Sequence, residues 1–141
     1  MIILTYKDYS IEVYNDPTYK LNSSDNINKY NHIYYDEESC VSKIGIKFIK
    51  KEELIKTILL IAGSYASSIA EDVVIIDDNK LLLAICDILF CVNLDTFKLE
   101  WKTKVDYSAC FKIYKFDKFY ITHGELEIKR INKAGNVEWE F

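Results

Sequence analysis

From Thr57 onward the chain is a succession of short runs rich in β-branched and aromatic residues, broken by polar or charged positions about every eight to twelve residues, the spacing of an all-β meander. The pattern predicts strands over residues 43–49, 56–62, 73–76, 80–86, 88–94, 99–104, 109–115, 118–123, 126–131 and 136–141. Turn residues separate them, notably Asp77-Asp78-Asn79, Asp106 and Ala134-Gly135-Asn136. Residues 2–6 and 10–14 read as a hairpin about Lys7-Asp8-Tyr9. The polar, Asn-rich stretch 15–38 reads as a long loop or an extended arm. One segment is ambiguous, because Leu54, Ile55, Ile58 and Leu59 also stand at helical i, i+4 spacing. A turn at Lys50-Lys51-Glu52-Glu53 followed by a strand is the preferred reading there, and a short helix near 50–62 is the alternative.

The strongest signal is an internal repeat. Sliding the chain by 37 residues sets Leu82-Leu83-Ala84-Ile85-Cys86-Asp87-Ile88-Leu89 on Phe119-Tyr120-Ile121-Thr122-His123-Gly124-Glu125-Leu126. In the same register Leu94-Asp95 falls on Ile131-Asn132. After one extra residue at Gly135, Leu99-Glu100-Trp101 falls on Val137-Glu138-Trp139. Two units of strand, tight turn, strand, turn and Trp-bearing strand result, at about 78–104 and 115–141. A small antiparallel sheet cannot bury its apolar face alone, so such units must stack. Trp101 and Trp139 are then expected as plugs between layers, with ligand stacking as the lesser reading. The expected class is mostly β: an antiparallel meander of stacked sheets with blade-like repeats, an incomplete propeller or a sandwich.

The phrase from Cys91 to Lys102, with Leu94-Asp95-Thr96 leading to Trp101, resembles the repeat of quinoprotein-like β-propellers. Residues 130–139, from Arg130 to Trp139, look like a looser copy. The chain departs from that repeat by placing Phe97 where the turn glycine normally sits. A closed propeller needs at least four blades of about forty residues, so 141 residues imply stacked sheets or assembly of several chains. No quinone-ligand constellation is present and no cofactor is carried over. The runs 106–114 (Asp106 to Tyr114) and 123–130 (His123 to Arg130) also resemble a group of small uncharacterised bacterial proteins, whose pattern continues past the last Trp-x-Phe; that group implies no activity.

At 141 residues, half of them apolar, the chain is expected to form a single domain, 1–141, with one core. Its 18 basic and 22 acidic residues leave a net charge of −4, which argues against nucleic acid and anionic membranes as partners. The longest uncharged apolar stretch, 57–70, is broken by Gly63 and several serines and falls short of the roughly 18 to 20 residues of a membrane span. Met1 to Thr5 lack the features of a secretion signal. The cytoplasm is the expected compartment, with Cys40, Cys86, Cys91 and Cys110 as buried reduced thiols.

Candidate chemistry is sparse. His123 and Glu125 flank Gly124 at a tight turn, where a His and a carboxylate can do general acid-base work. The repeat sets Cys86-Asp87-Ile88 at the same tip, so the plain reading is a turn in which Gly124 supplies a conformation other residues resist. Cys86, Cys91, Cys110 and His123 are zinc-ligand types without paired Cys-x2-Cys spacing, so no metal is assigned. Isolated glycines make neither a Walker loop nor a dinucleotide fingerprint.

Glu52, Glu53, Glu71, Asp72, Asp77 and Asp78 read first as solvated turns that keep sheet edges unpaired. The sharper reading is an acidic docking surface for a basic protein. Tyr30, Tyr34 and Tyr35 beside Asp36, Glu37 and Glu38 strengthen it. The preferred functional expectation is therefore a non-enzymatic protein-binding module, an inhibitor or immunity-type protein against a basic partner, with Tyr34, Tyr35, Asp36, Glu37, Asp77 and Asp78 as contact residues. A small-molecule-binding protein or hydrolase using His123 and Glu125, walled by Tyr107, Tyr120 or Trp139, is the first alternative. The second is a structural subunit, a homo-oligomer assembled through edge strands.

Overall fold

The computed structural model describes residues 1–36, 41–63 and 68–141. Glu37, Glu38 and Cys40 therefore lie outside the described residues. The chain divides into two compact units, Met1–Ile69 and Ala70–Phe141.

The first unit holds five strands: β1 (Ile2–Tyr6), β2 (Tyr9–Asn15), β3 (His32–Tyr35), β4 (Ser42–Lys50) and β5 (Glu53–Ala62). They form one sheet in the order β1-β2-β4-β5-β3. Its hairpins turn in two residues without glycine. Tyr6 pairs with Tyr9 around Lys7, whose φ is 52°, and Lys50 pairs with Glu53 around Lys51 and Glu52, at φ 52° and 65°. Two consecutive positive φ values match the right-handed twist of the flanking strands. The segment 53–62 is a strand, not the alternative helix. Its ambiguity has a cause: Ile58 to Ala62 are all buried, so no polar face interrupts the run. One side of β5 is closed by Tyr19 with Leu59 and Ile61, against which Tyr30 and Ile33 pack.

Strand β3 falls within the stretch expected to be loop, and it pairs parallel to β5, with His32 opposite Ile58 and Tyr35 opposite Ile61. A reciprocal clamp starts it. The Asn31 N–H donates to Thr57 Oγ1 at 3.0 Å, and the Thr57 N–H donates to Asn31 Oδ1 at 2.9 Å. Nearby, the Tyr30 hydroxyl donates to Asp16 Oδ2 at 2.6 Å and lies 2.8 Å from the Tyr14 hydroxyl. Gly45 lies beneath the two rings, where any Cβ would collide with both.

The second unit contains a single 3-10 turn, Glu71–Val73, and two four-stranded antiparallel meanders. The first comprises β6 (Val74–Asp77), β7 (Lys80–Ile85), β8 (Ile88–Asn93) and β9 (Leu99–Lys104); the second comprises β10 (Cys110–Lys115), β11 (Phe119–Gly124), β12 (Ile128–Asn132) and β13 (Val137–Glu140). Strand register makes the internal repeat explicit. Trp101 stands opposite Cys91 and Leu99 opposite Val92, with a bulge between; Trp139 stands opposite Arg130 and Val137 opposite Ile131, with a bulge at the same point. Asn93 and Asn132 fold the following turns alike. Asn93 Oδ1 accepts from the N–H groups of Asp95 and Thr96, and Asn132 Oδ1 accepts from those of Ala134 and Asn136. Phe97 holds the left-handed conformation at φ 62°, as Gly135 does at φ 89°.

The copies share the hairpin tip. Ile85 pairs with Ile88 around Cys86-Asp87, and the Gly124 N–H donates to the Glu127 carbonyl at 2.8 Å around Glu125-Leu126. Lys80 pairs with Asn93 as Phe119 pairs with Asn132, so both strands of the second hairpin stand 39 residues beyond those of the first, two more than the 37-residue slide places them.

The meanders stack through side chains from both. The Trp101 indole lies against Gly135 and donates its N–H to the Lys133 carbonyl at 3.2 Å. Thr103 Oγ1 donates to the Gly135 carbonyl at 2.6 Å. Trp101 is thus the expected plug between layers, but Trp139 is 45% exposed. Its indole is not buried between layers, because no sheet of the described residues lies beyond the β10–β13 meander in the second unit.

Candidate functional site

The loop between β9 and β10 meets the β11–β12 turn at Asp106. Asp106 is fully buried, and its carboxylate accepts N–H groups from Ser108 at 2.8 Å, Leu126 at 3.1 Å and Glu127 at 2.8 Å. Burial pushes this carboxyl up, but the backbone donors of Ser108, Glu127, Leu126 and Ala109 outweigh it and hold the group below the ordinary carboxylate range. Gly124 packs directly on that carboxylate, with no room for a Cβ. Space explains this glycine, rather than the special backbone conformation expected from the sequence: positive φ falls on Gly63 and Gly135 instead. Asp106 was legible only as a turn former; the Asp-x-Ser spacing to Ser108 is the sole local trace of its role.

Around this anchor, the Ser108 hydroxyl donates to Glu125 Oε2 at 2.5 Å, and the Glu125 N–H donates to the Ala109 carbonyl at 2.8 Å. His123, exposed on β11 opposite Lys112 and Ile128, lines a shallow depression with Glu125, Glu127 and Phe141. The structure therefore brings His123 and Glu125 to one rim, with the Glu125 carboxylate engaged by Ser108.

Asp77 is drawn inward. Its Oδ2 accepts the Tyr120 hydroxyl at 2.6 Å and the Lys133 ammonium at 2.6 Å. Burial opposes ionisation, yet the bonds from Lys133 and Tyr120 prevail and lower the carboxyl below its ordinary value. The Lys133 ammonium also lies 4.0 Å from the centre of the Tyr120 ring. Asp78, exposed in the β6–β7 turn, holds φ 54°. In the first unit Tyr34 is half-buried, Tyr35 is 48% exposed and Asp36 follows directly, its N–H donating to the Ile61 carbonyl at 3.0 Å. These three positions mark the outermost strand of the five-stranded sheet.

Cys86, Cys91 and Cys110 are buried thiols. Burial, with the Glu100 carboxylate beside Cys91, pushes the Cys91 thiol up to about 12, and burial does the same for Cys110. Among the described residues no three of His, Cys, Asp and Glu converge into a metal-holding group. No helix of the described residues is long and apolar enough to cross a membrane. No protein-family model matches the chain, and no curated protein aligns with it significantly.

Proposed function

We propose that the chain is a protein-binding module that takes a basic partner along the β3 edge, in the manner of an inhibitor or immunity-type protein. The observation that carries this reading is the placement of Tyr34, Tyr35 and Asp36 on and just after the sheet's outermost strand. An outermost strand is where an extended segment of another chain adds to a sheet, through main-chain bonds with alternate side chains giving specificity. Tyr35 supplies contact area with a polar tip, and Asp36, on a chain of net charge −4, favours a basic incoming segment. The polar groups elsewhere support the same reading. Asp16, Asp77 and Asp106 are spent on architecture, and burial pushes the Cys91 and Cys110 thiols up.

The test is affinity capture from a lysate of the source cells at low and moderate salt, with wild type, Tyr35→Ala and Asp36→Lys as baits. A basic protein retained stoichiometrically by wild type, released as salt rises and lost from both variants is the expected result. Equal capture by the three baits, or no capture at low salt, sinks the reading.

A further inference from the structure

We infer that β1 is a self-association edge, on which the β1 strand of a second copy pairs antiparallel and joins two five-stranded sheets into one. Main-chain phase fixes what the edge offers. A two-residue turn makes Tyr6 and Tyr9 a hydrogen-bonded pair, and alternation extends this to Leu4 with Ile11 and to Ile2 with Val13. The complementary phase holds between β2 and β4, where the Asp16 N–H donates to the Lys43 carbonyl at 2.9 Å. The N–H and C=O groups of Ile3 and Thr5 therefore point away from β2, and no hydrogen bond among the described residues takes them up.

The other outermost strands are blunted, and β1 is not. Strands β9, β10 and β13 carry charged residues and a bulge in the pairing with their neighbours, and β6 ends on Asp77. Charges, bulges and shortness keep an edge from pairing with another chain. Strand β3 is uncharged but has four residues. Strand β1 has five, none charged, in unbroken register with β2, and Ile3 is 61% exposed.

Two-fold symmetry selects a second copy and its register. Setting Leu4 opposite Leu4 of the second copy brings Ile3 opposite Thr5 and Thr5 opposite Ile3, so each outward-facing residue meets another and the main chains bond at both. Ile2 then faces Tyr6. Ile2, Leu4 and Tyr6 are half-buried, and Ile2 and Leu4 stand beside the buried Val13 and Ile11, so the apolar row of each copy continues across the two-fold. The strand supplies both halves of this match, whereas it offers no charge by which a basic or acidic foreign segment is selected. Both β3 edges stay outermost in the joined sheet, so the pairing leaves the β3 surface open. Two strands about 17 Å long bury less than the roughly 1,200 Å² of stable complexes, so the dimer is expected to be weak, with a dissociation constant of roughly 100 μM.

Sedimentation velocity of the full chain from about 10 μM to 1 mM, spanning that constant, tests this. Wild type is expected to pass from monomer to dimer. Ile3→Pro removes an N–H that only the pairing uses and is compatible with an edge strand, so it should weaken association at least about tenfold with an unchanged melting temperature at low concentration. Thr5→Glu should weaken it too, by setting a carboxylate against Ile3 of the second copy. Adding Ile3→Lys should restore it, since each glutamate then faces a lysine; this recovery decides the matter even where Ile3→Pro lowers the melting temperature. Tyr35→Ala, on the opposite edge of the sheet, should leave association unchanged. A monomer throughout the range overturns the proposal. So does association that Ile3→Pro leaves intact, that Tyr35→Ala removes, or that the double variant fails to recover.

Discussion

The two meanders of the second unit share one plan and differ in what lies on each side of it. In β7 and β8, Leu81 to Leu83 and Leu89 to Val92 are essentially inaccessible, so this sheet is apolar on both faces. In the second meander one face is buried and the other carries Tyr114, Arg130 and Trp139 toward solvent. Burial on two sides leaves no use for polar positions, whereas one exposed face demands them. The buried face of the second meander is also more polar, holding Thr122 and Lys129, and Lys129 lies 3.3 Å from Glu127 and 3.4 Å from Glu140. The same strand order and the same bulges thus carry an apolar, inaccessible sheet in one copy and a half-exposed one in the other.

The comparison breaks most severely at Gly135. Gly135→Val places a β-branched residue at positive φ and drives its side chain into the Trp101 ring, so unfolding by denaturant should show a loss of about 4 kcal/mol. Phe97→Gly at the corresponding turn should change stability by less than about 1 kcal/mol, because relief at φ 62° offsets lost packing. Asp106→Ala comes next, at about 3 kcal/mol, since it strips buried backbone donors of their acceptor.

The same variant has a pH signature. Because the folded carboxyl titrates below its ordinary value of about 3.9, the unfolded chain takes up the proton first as pH falls. Its contribution is complete above that value and is lost as pH drops through the folded one. Acid titration followed by circular dichroism should therefore show a shallower loss of stability below about pH 4 in Asp106→Ala than in wild type. A parallel loss would assign the acid sensitivity to other carboxylates.

The tryptophans separate the copies directly. Trp101→Ala should cost about 2 to 4 kcal/mol and Trp139→Ala less than about 1 kcal/mol at concentrations where the chain is monomeric, measured by thermal melts. Comparable costs would mean that both indoles are plugs. The smallest effect is expected at Thr122, whose hydroxyl is buried and makes no hydrogen bond among the described residues. Thr122→Val removes that unsatisfied group at constant shape and should stabilise the protein by about 1 kcal/mol.

Most strands were legible because alternation and turn residues are local signals. The Trp-bearing repeat was legible too, down to Trp101 aligning with Trp139 and to Phe97 occupying a glycine position. What failed was equally physical. Strand β3 pairs with β5 across a distance that no local pattern encodes, so its residues looked like loop. The 37-residue slide set the hairpin strands two residues out of register, because a shift of two keeps each side chain on its own face and still matches apolar to apolar. At the candidate sites, His123 and Glu125 were found by residue type, but their engagement was not. Asp77 read as surface acid and is bonded by Tyr120 and Lys133, which come from 43 and 56 residues further along the chain.

By itself, the sequence determined the all-β class, the turn positions and the two-copy plan, because these follow from side-chain period and from which residues tolerate a turn. Only the tertiary structure decided which tryptophan is covered, which carboxylates are spent inside and which strand lies outermost. Those outcomes depend on what a side chain meets across space, and residues far apart in sequence meet only once the sheets have stacked.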